Sequence, residues 1–340
     1  MKNLKSLKAL VKNFNRAKVL VIGDLILDEY ISGGAERISP EAPVPVIWAD
    51  KRHYVPGGAA NVVNNILAMD AKASAVGVVG DDLNAKILVG QLKKRGADIS
   101  GVFVQPRRHT TLKTRILAGH QQVVRVDWEH RDPLSKEVNE KILKFIEKKL
   151  PGYDGLVIED YGKGVVNSGL LERLVELAKK YKKILTVDPK EENFFCYRGV
   201  TAITPNRKEL ENAVRNLKIK DMTNSFRVNS ERLFTDKEIN TAAFEVMGYL
   251  GLESVLVTLG EQGMRLFEKG KNFTHIPTVA QEVFDVSGAG DTVIACFTLA
   301  LCLGASKLQA AHIANFAAGI VVSKLGTAVT TRPELLSRIK

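Results

Sequence analysis

What the chain lacks sets its class before any motif is read. None of its apolar runs reaches the length of a membrane span, and its N-terminal stretch has no continuous apolar core of the kind a secretory signal carries. Cysteine is scarce. Cys196, Cys296 and Cys302 are odd in number and not at metal-ligand spacing, and two of them fall in one apolar stretch, so inert thiols in a reduced cytoplasmic setting are expected. The histidines, His312 included, have no ligand spacing either. Acid is absent from the first 18 residues, where Lys2, Lys5, Lys8, Lys12, Arg16 and Lys18 carry six positive charges of a formal net +11. The remainder is only moderately basic, which argues against a nucleic-acid footprint and suits a protein handling phosphorylated anions.

What is present is ordinary for a soluble globular protein: 45% hydrophobic and 26% charged residues over 340 positions, ample for a sizeable core. Leu4, Leu7, Val11 and Phe14 recur at helical spacing, which predicts an amphipathic basic helix over residues 1–18, docked by one face. From 19 to 335, apolar runs ending in glycine or polar residues alternate with helical stretches. Lys18-Val-Leu-Val-Ile-Gly-Asp24, Gly155-Leu-Val-Ile-Glu-Asp160, Ile184-Leu-Thr-Val-Asp-Pro-Lys190 and Ser254-Val-Leu-Val-Thr-Leu-Gly260 are of this kind. The pattern predicts an α/β fold, a mainly parallel sheet covered by helices on both faces. Its strand ends gather Asp24, Asp160, Lys163, Asp188, Lys190, Asn206, Thr258 and Gly260 along the edge where ligands bind in open α/β sheets.

Two stretches break the parallel pattern. Residues 38–48 carry three prolines, which bars a central strand but allows an edge or a lid, and residues 110–128 alternate as half-buried antiparallel strands do. Together they predict a small sheet from about 30–56 and 105–128, decorated by Lys113, Arg115, Arg125 and Asp127. Residues 218–238 are polar and without apolar periodicity, as in a surface excursion.

Near the C-terminal end, Asp285-Val-Ser-Gly-Ala-Gly-Asp-Thr292 runs straight into an apolar helical segment. Glycines at such a start let the backbone approach a ligand closely, with amides pointing from the helix N-terminus, which makes an anion cradle. Asp291 would repel a phosphate as its ligand, so it reads as a base taking a proton from a hydroxyl that attacks phosphorus. Taken alone, the motif also reads as an ordinary helix start whose acid favours the dipole. A second glycine turn, Pro56-Gly-Gly-Ala-Ala-Asn61, opens another helix and sets Asn61 in its first turn. Asn206 and Glu209, three apart at a helix start, suit a magnesium ion that keeps its waters; the same pair reads as a capping box, and neither role excludes the other.

With these pieces the chain resembles the PfkB, or ribokinase-type, carbohydrate kinases over nearly its whole length, most specifically in Gly57-Gly-Ala-Ala-Asn61 and residues 285–291. Residues 37–46, 160–164, 188–190, 204–209 and 283–292 resemble the branch of that family that acts on D-glycero-β-D-manno-heptose 7-phosphate. The resemblance implies a Rossmann-like sheet with a small β lid, lids that clasp in a homodimer, and ATP-dependent phosphorylation of the heptose's anomeric hydroxyl on the way to ADP-heptose and lipopolysaccharide. Asp291 then matches the base, and Gly288, Ala289 and Gly290 the anion hole. Asn206, Arg207, Lys208 and Glu209 match the nucleotide and magnesium contacts, the metal held through water, with Lys190, Thr258, Gly260 and Gly263 nearby. Asp24, Asp28, Gly57, Gly58, Asn61, Asp160 and Lys163 match the sugar side. Lys113, Arg115, Arg125 and Lys163 are the cations available to a 7-phosphate, and a monovalent cation near Asp285 and Ser287 is left open. Many members continue into a cytidylyltransferase-like domain. This chain ends soon after Thr331, so nucleotidyl transfer is expected on a separate protein. The 218–238 excursion is also longer than the family pattern. A kinase of the same fold acting on another sugar or sugar phosphate is the alternative; a non-catalytic sensor is disfavoured, because Asp291, Asn206 and Glu209 are all present.

Overall fold

Strand β1 (Lys18–Gly23) shows how the sheet is built, because its alternate side chains enter two different cores. Val19 and Val21 belong to one apolar cluster and Leu20 and Ile22 to the other, all fully buried. A strand covered on both faces reads as an unbroken apolar run, which is what residues 19–22 are. The computed structural model describes residues 2–119, 121–222, 226–228, 232–280, 282–324 and 326–339.

Helix α1 (Lys2–Lys12) precedes β1. After it come β2 (Leu25–Ile38), β3 (Pro45–Gly58), α2 (Ala59–Ala68), β4 (Lys72–Val79), α3 (Leu83–Lys94), β5 (Asp98–Val104), β6 (Thr111–Ala118), β7 (Gln121–Trp128) and α4 (Lys136–Lys149). The second half holds β8 (Gly155–Glu159), α5 (Ser168–Tyr181), β9 (Ile184–Asp188), β10 (Ala202–Ile203), α6 (Arg207–Lys220), α7 (Asp236–Leu250), β11 (Ser254–Thr258), β12 (Met264–Glu268), β13 (Thr274–Ile276), α8 (Ala289–Cys302), α9 (Lys307–Val321) and α10 (Arg332–Arg338).

The main sheet runs β13-β12-β11-β10-β9-β8-β1-β4-β5. It is parallel throughout except at β11–β12 and β12–β13. Residues of α2, α8 and α9 fill the core on one face and residues of α4 to α7 the core on the other. Among the described residues, no helix is long and apolar enough to cross a membrane.

A second sheet runs β3-β2-β6-β7, with β2 and β6 parallel and the outer pairs antiparallel. β2 is buried over its first six residues and exposed over its last five. β7 departs from the half-buried pattern expected of residues 110–128: all eight of its residues are exposed. As the edge strand of a thin sheet, it has no layer within the chain to cover either face. The stretch expected to be a surface excursion departs too. Residues 223–225 and 229–231 of it, like Leu325 in the glycine turn after α9, lie outside the described residues, but Phe226, Val228 and Leu233 are buried in the α4-to-α7 core.

Leu7, Val11 and Phe14 are buried, so the N-terminal segment docks by its apolar stripe. Gln309 donates to Ser6 Oγ at 2.7 Å, and Arg332 Nη1 donates to the Lys12 carbonyl at 3.0 Å, tying the segment to the last two helices. Phe14→Ala is therefore expected to cost about 3–5 kcal/mol of stability. Urea unfolding checks it, and an unmoved midpoint would show that the segment contributes nothing to the fold.

Candidate active site

The site is assembled at the start of α8. Gly288 caps this helix in the left-handed region at φ 75°, and a Cβ there would stand 2.9 Å from Asn61 Nδ2, so glycine is the residue that fits. The first amides of a helix have no partner within it. Of these, the Ala289 N–H is taken by the Val286 carbonyl at 3.2 Å, while Thr292 N–H closes the first turn onto Gly288. The remaining amides of the turn make the anion-favouring end of the helix.

Asp291 sits in that turn, 6% exposed. Asn61 Nδ2 donates to its Oδ2 at 2.5 Å, and one turn on, Thr292 Oγ1 donates to Asn65 Oδ1 at 2.8 Å, so the first turns of α2 and α8 are stitched together side by side. Burial pushes the Asp291 carboxyl up to about 6, with the Asp28 carboxylate adding to the rise. Asn61, Tyr161 and Lys113 hold it down. A carboxyl poised near neutrality, at a helix N-terminus and beside an open cleft, has the properties of a general base.

That cleft, of ≈ 1020 Å³, is lined by Asp291, Gly288, Ala289, Gly290, Asn206, Arg207, Lys208, Glu209, Thr258, Gly260 and Gly263, together with Tyr161, Asp188 and Thr204. The sequence-predicted base, anion hole and nucleotide residues are thus brought to one place, Lys190 lying outside the lining. A smaller hollow of ≈ 580 Å³, bounded by Phe284, Lys324, Glu334 and Arg338, holds none of them.

At the start of α6, Asn206 and Glu209 form the capping box: Glu209 N–H donates to Asn206 Oδ1 at 2.9 Å, and Asn206 N–H donates to Glu209 Oε2 at 2.8 Å. Arg207 donates to the Leu233 carbonyl, and Lys208 pairs with Glu211 at 3.2 Å. Asp285 is fixed as well, accepting from Ser287 N–H at 2.8 Å and from Gly326 N–H at 3.0 Å.

The predicted sugar-side residues divide by what their polar atoms do. Asp24 accepts from the backbone N–H groups of Tyr161, Lys163 and Val165 at 2.9, 3.0 and 3.3 Å, which holds the 161–165 loop in place. Burial raises its pKa against the pull of those donors. Asp160 accepts from Tyr197 Oη, Asn193 Nδ2 and Gly162 N–H, and burial pushes it up to about 6. Both acids act on the protein itself. Asp28 instead pairs with Arg115 at 2.7 Å and lies opposite Lys113 in the register of β2 and β6. Lys163 pairs with Glu129 at 2.7 Å. Lys113 Nζ stands 5.0 Å over the Tyr161 ring and forms no ion pair among the described residues. Gly57 gives Asp28 room, and Gly58 opens α2.

Sequence reasoning missed one group. Glu159, the last residue of β8, is fully buried beside Asp188, and oxygens of Glu159, Asp188 and Asp291 all lie within 4.8 Å of one another. Among the described residues, no hydrogen-bond donor meets either Glu159 oxygen apart from the neighbouring Asp188 carboxyl. The signal was available in strand register, because Glu159 and Asp188 are direct neighbours across β8 and β9. Buried, orphaned carboxylate oxygens with an amide-and-acid pair across the cleft fit the oxygen chemistry of magnesium.

Residues 16–334 match the pfkB family carbohydrate kinases. The bifunctional protein HldE of Helicobacter pylori strain J99 is 44% identical over 318 residues, covering 94% of this chain and 65% of its own length. The protein of the same name from Pelobacter propionicus is 41% identical over 335 residues, covering 98% of this chain and 66% of its own. The chain thus spans about two thirds of the length of these relatives. In fold it is similar to Arabidopsis thaliana ribokinase complexed with ribose and ATP, with a TM-score of 0.71 at 20% identity over 95% of this chain and 98% of that one. Escherichia coli phosphofructokinase-2 gives 0.73 at 20% identity with the same coverage.

If Asp291 is the base, kcat/KM should fall as pH drops below about 6, as its carboxylate takes up a proton. Asp160 titrates in the same range, but only Asp291 touches Asn61. Asn61→Ala removes a donor to the charged form, so it should move the acid limb to higher pH, while Asp291→Asn lowers kcat by about 100-fold or more with the fold intact. Steady-state rates across pH check both, and a folded Asp291→Asn protein with near-normal turnover would remove Asp291 from the chemistry.

Proposed function

This chain belongs to the pfkB family of carbohydrate kinases, and on that premise we propose that it transfers the γ-phosphoryl group of ATP to the anomeric hydroxyl of D-glycero-β-D-manno-heptose 7-phosphate. The product is the 1,7-bisphosphate, a precursor of ADP-heptose for the lipopolysaccharide core. The observation that carries the chemistry is Asp291, buried at the N-terminus of α8 and hydrogen-bonded by Asn61 at the floor of the cleft. The motif resemblance of residues 37–46 and 160–164 and the similarity to the HldE proteins support the choice of sugar.

In the proposed reaction, the acceptor hydroxyl oxygen attacks the γ-phosphorus as Asp291 takes its proton. The bond from phosphorus to the bridging oxygen breaks, and ADP leaves. The free amides at the start of α8 are aimed where charge accumulates on the transferring oxygens, in a transfer that depends mainly on positioning and electrostatics. Magnesium, when bound, neutralises the phosphate charge, and Asn206 and Glu209 would hold it through water. Thr258, Gly260 and Gly263 provide the wall of the cleft on which the nucleotide would lie. A cytoplasmic location goes with the use of ATP.

The 7-phosphate needs a cation that is not already neutralised. Arg115 is paired with Asp28, Lys163 with Glu129, and Arg125 with Asp127 at 2.8 Å. That leaves Lys113, half-buried over Tyr161, as the favoured reader.

Purified protein with ATP and magnesium should release ADP with heptose 7-phosphate in preference to ribose, fructose and fructose 6-phosphate, and Lys113→Ala should raise KM for the sugar phosphate without raising it for ATP. Selective turnover of another sugar would overturn the substrate and keep the phosphotransfer chemistry. A KM for the sugar phosphate unchanged in the variant would remove Lys113 as the reader.

The lid supports a homodimer as part of the same reading. Val124, Val126 and Trp128 lie on one face of β7 and are 44%, 40% and 59% exposed, an apolar stripe on an edge strand whose outer side has no strand partner among the described residues. Sedimentation equilibrium should give twice the 37.3 kDa chain mass, and Val126→Asp should give the single-chain mass. A wild-type chain that sediments as a monomer at assay concentration would overturn the clasped lid.

A further inference from the structure

We propose that Tyr30 and Thr327 are positioning residues for the phosphoryl transfer, joining the small sheet to the turn that opens α8 and so holding the Asp28–Arg115 pair at a fixed distance from the amides of that turn. The inference deepens the kinase reading and rests on it for the reaction that is positioned. Tyr30 Oη and Thr327 Oγ1 stand 3.1 Å apart, one hydroxyl donating to the other across 297 positions of sequence. Among the described residues, this is the one hydrogen bond between the strands of the small sheet and residues 285–330.

Thr327 serves the join because its two γ groups differ. A Cβ at Gly288 would stand 3.1 Å from Thr327 Cγ2, so the methyl packs on the cap of α8 while the hydroxyl meets the sheet. The residue before it is bonded to the same turn. Gly326 N–H donates to Asp285 Oδ2 at 3.0 Å, and Asp285 Oδ1 accepts from Ser287 N–H at 2.8 Å. The loop after α9 is thus fastened to the α8 turn at Gly326 and to β2 at Thr327. On the sheet side Tyr30 is firmly held. Its ring stacks on His53 of β3, with centroids 4.9 Å apart and 5° between planes, and Arg115 Cζ of β6 stands 5.3 Å over it. These are its direct neighbours in register on either side. Arg115 pairs with Asp28, which precedes Tyr30 by two residues and so shares its face of β2. A buried ring would be satisfied by packing alone, and Phe would supply it; the hydroxyl adds a directional bond that resists sliding where an apolar contact does not.

The role is to position, because charge stabilisation by fixed amides depends on geometry, and a misplacement of about 1 Å can cost about 100-fold in rate. Tyr30→Phe and Thr327→Val each remove one hydroxyl and little volume. Each should lower kcat about tenfold and leave KM for ATP and for heptose 7-phosphate within about twofold, the pattern of a contact realised in the transition state. The double variant should lose no more than either single one, because one bond is removed in all three. Hydrogen exchange of the nucleotide-free chain reads the coupling without turnover: amides of residues 285–292 should exchange at least about threefold faster in each variant, although Tyr30 lies on another element. Losses that add in the double variant, a raised KM with kcat intact, or unchanged exchange over 285–292 would each overturn the proposal. A chain that phosphorylates none of the sugars yet shows the faster exchange would keep the coupling and fail the function, whereas a working heptose kinase with unchanged exchange would do the reverse.

Discussion

The hydrogen bond from Asn61 to Asp291 is the contact on which the rest of the site depends. It joins the first turns of two helices that arrive from opposite ends of the chain, α2 after the lid strand β3 and α8 after the main sheet is complete. Each helix starts in a glycine turn because the backbones have to come close, and at Gly288 a side chain would collide with Asn61 itself. The same bond keeps a buried carboxylate ionisable near neutrality. Without a donor inside the protein, burial alone would drive Asp291 further towards its protonated form.

Much of this was legible in the sequence because the fold rests on patterns that sequence carries well. Unbroken apolar runs at β1, β8, β9 and β11 mark strands covered on both faces, and the glycine turns before Asn61 and Asp291 mark helix starts near a ligand. What was not legible depends on which atoms meet. Asp24 and Asp160 stand at strand ends, where ligands bind, yet their oxygens face the backbone and side chains of neighbouring loops. Strand position gives the edge of the sheet but not the direction a carboxylate finally takes. Asn206 and Glu209 satisfy the geometry of a capping box in full. A box and a metal contact need the same spacing, so sequence could not separate them.

Glu159 escaped notice for a related reason. Read along the chain it is one polar residue ending an apolar strand, beside an aspartate that attracts more attention. Its meaning comes from β9, two elements later, whose Asp188 is its neighbour in register. The excursion after α6 shows the opposite failure: polar on average, it still buries Phe226, Val228 and Leu233, because three anchors too irregularly spaced to give a period are enough to pin a loop.

Strand β2 carries a mechanical implication. It is one continuous element of 14 residues that begins beside Asp24 in the interior, passes Asp28 where it pairs with Arg115 and ends in solvent at Ile38. Its only interruptions in pairing with β3 fall in the outer part, at Ser32/Gly33 and Ala35/Arg37. The small sheet is therefore a cantilever rather than a flap on a hinge: its root is clamped in the core and its compliance lies towards the tip. A load applied at the far end is transmitted along the beam to its buried root, so whatever grips the tip also sets the stiffness with which the Asp28–Arg115 pair is held.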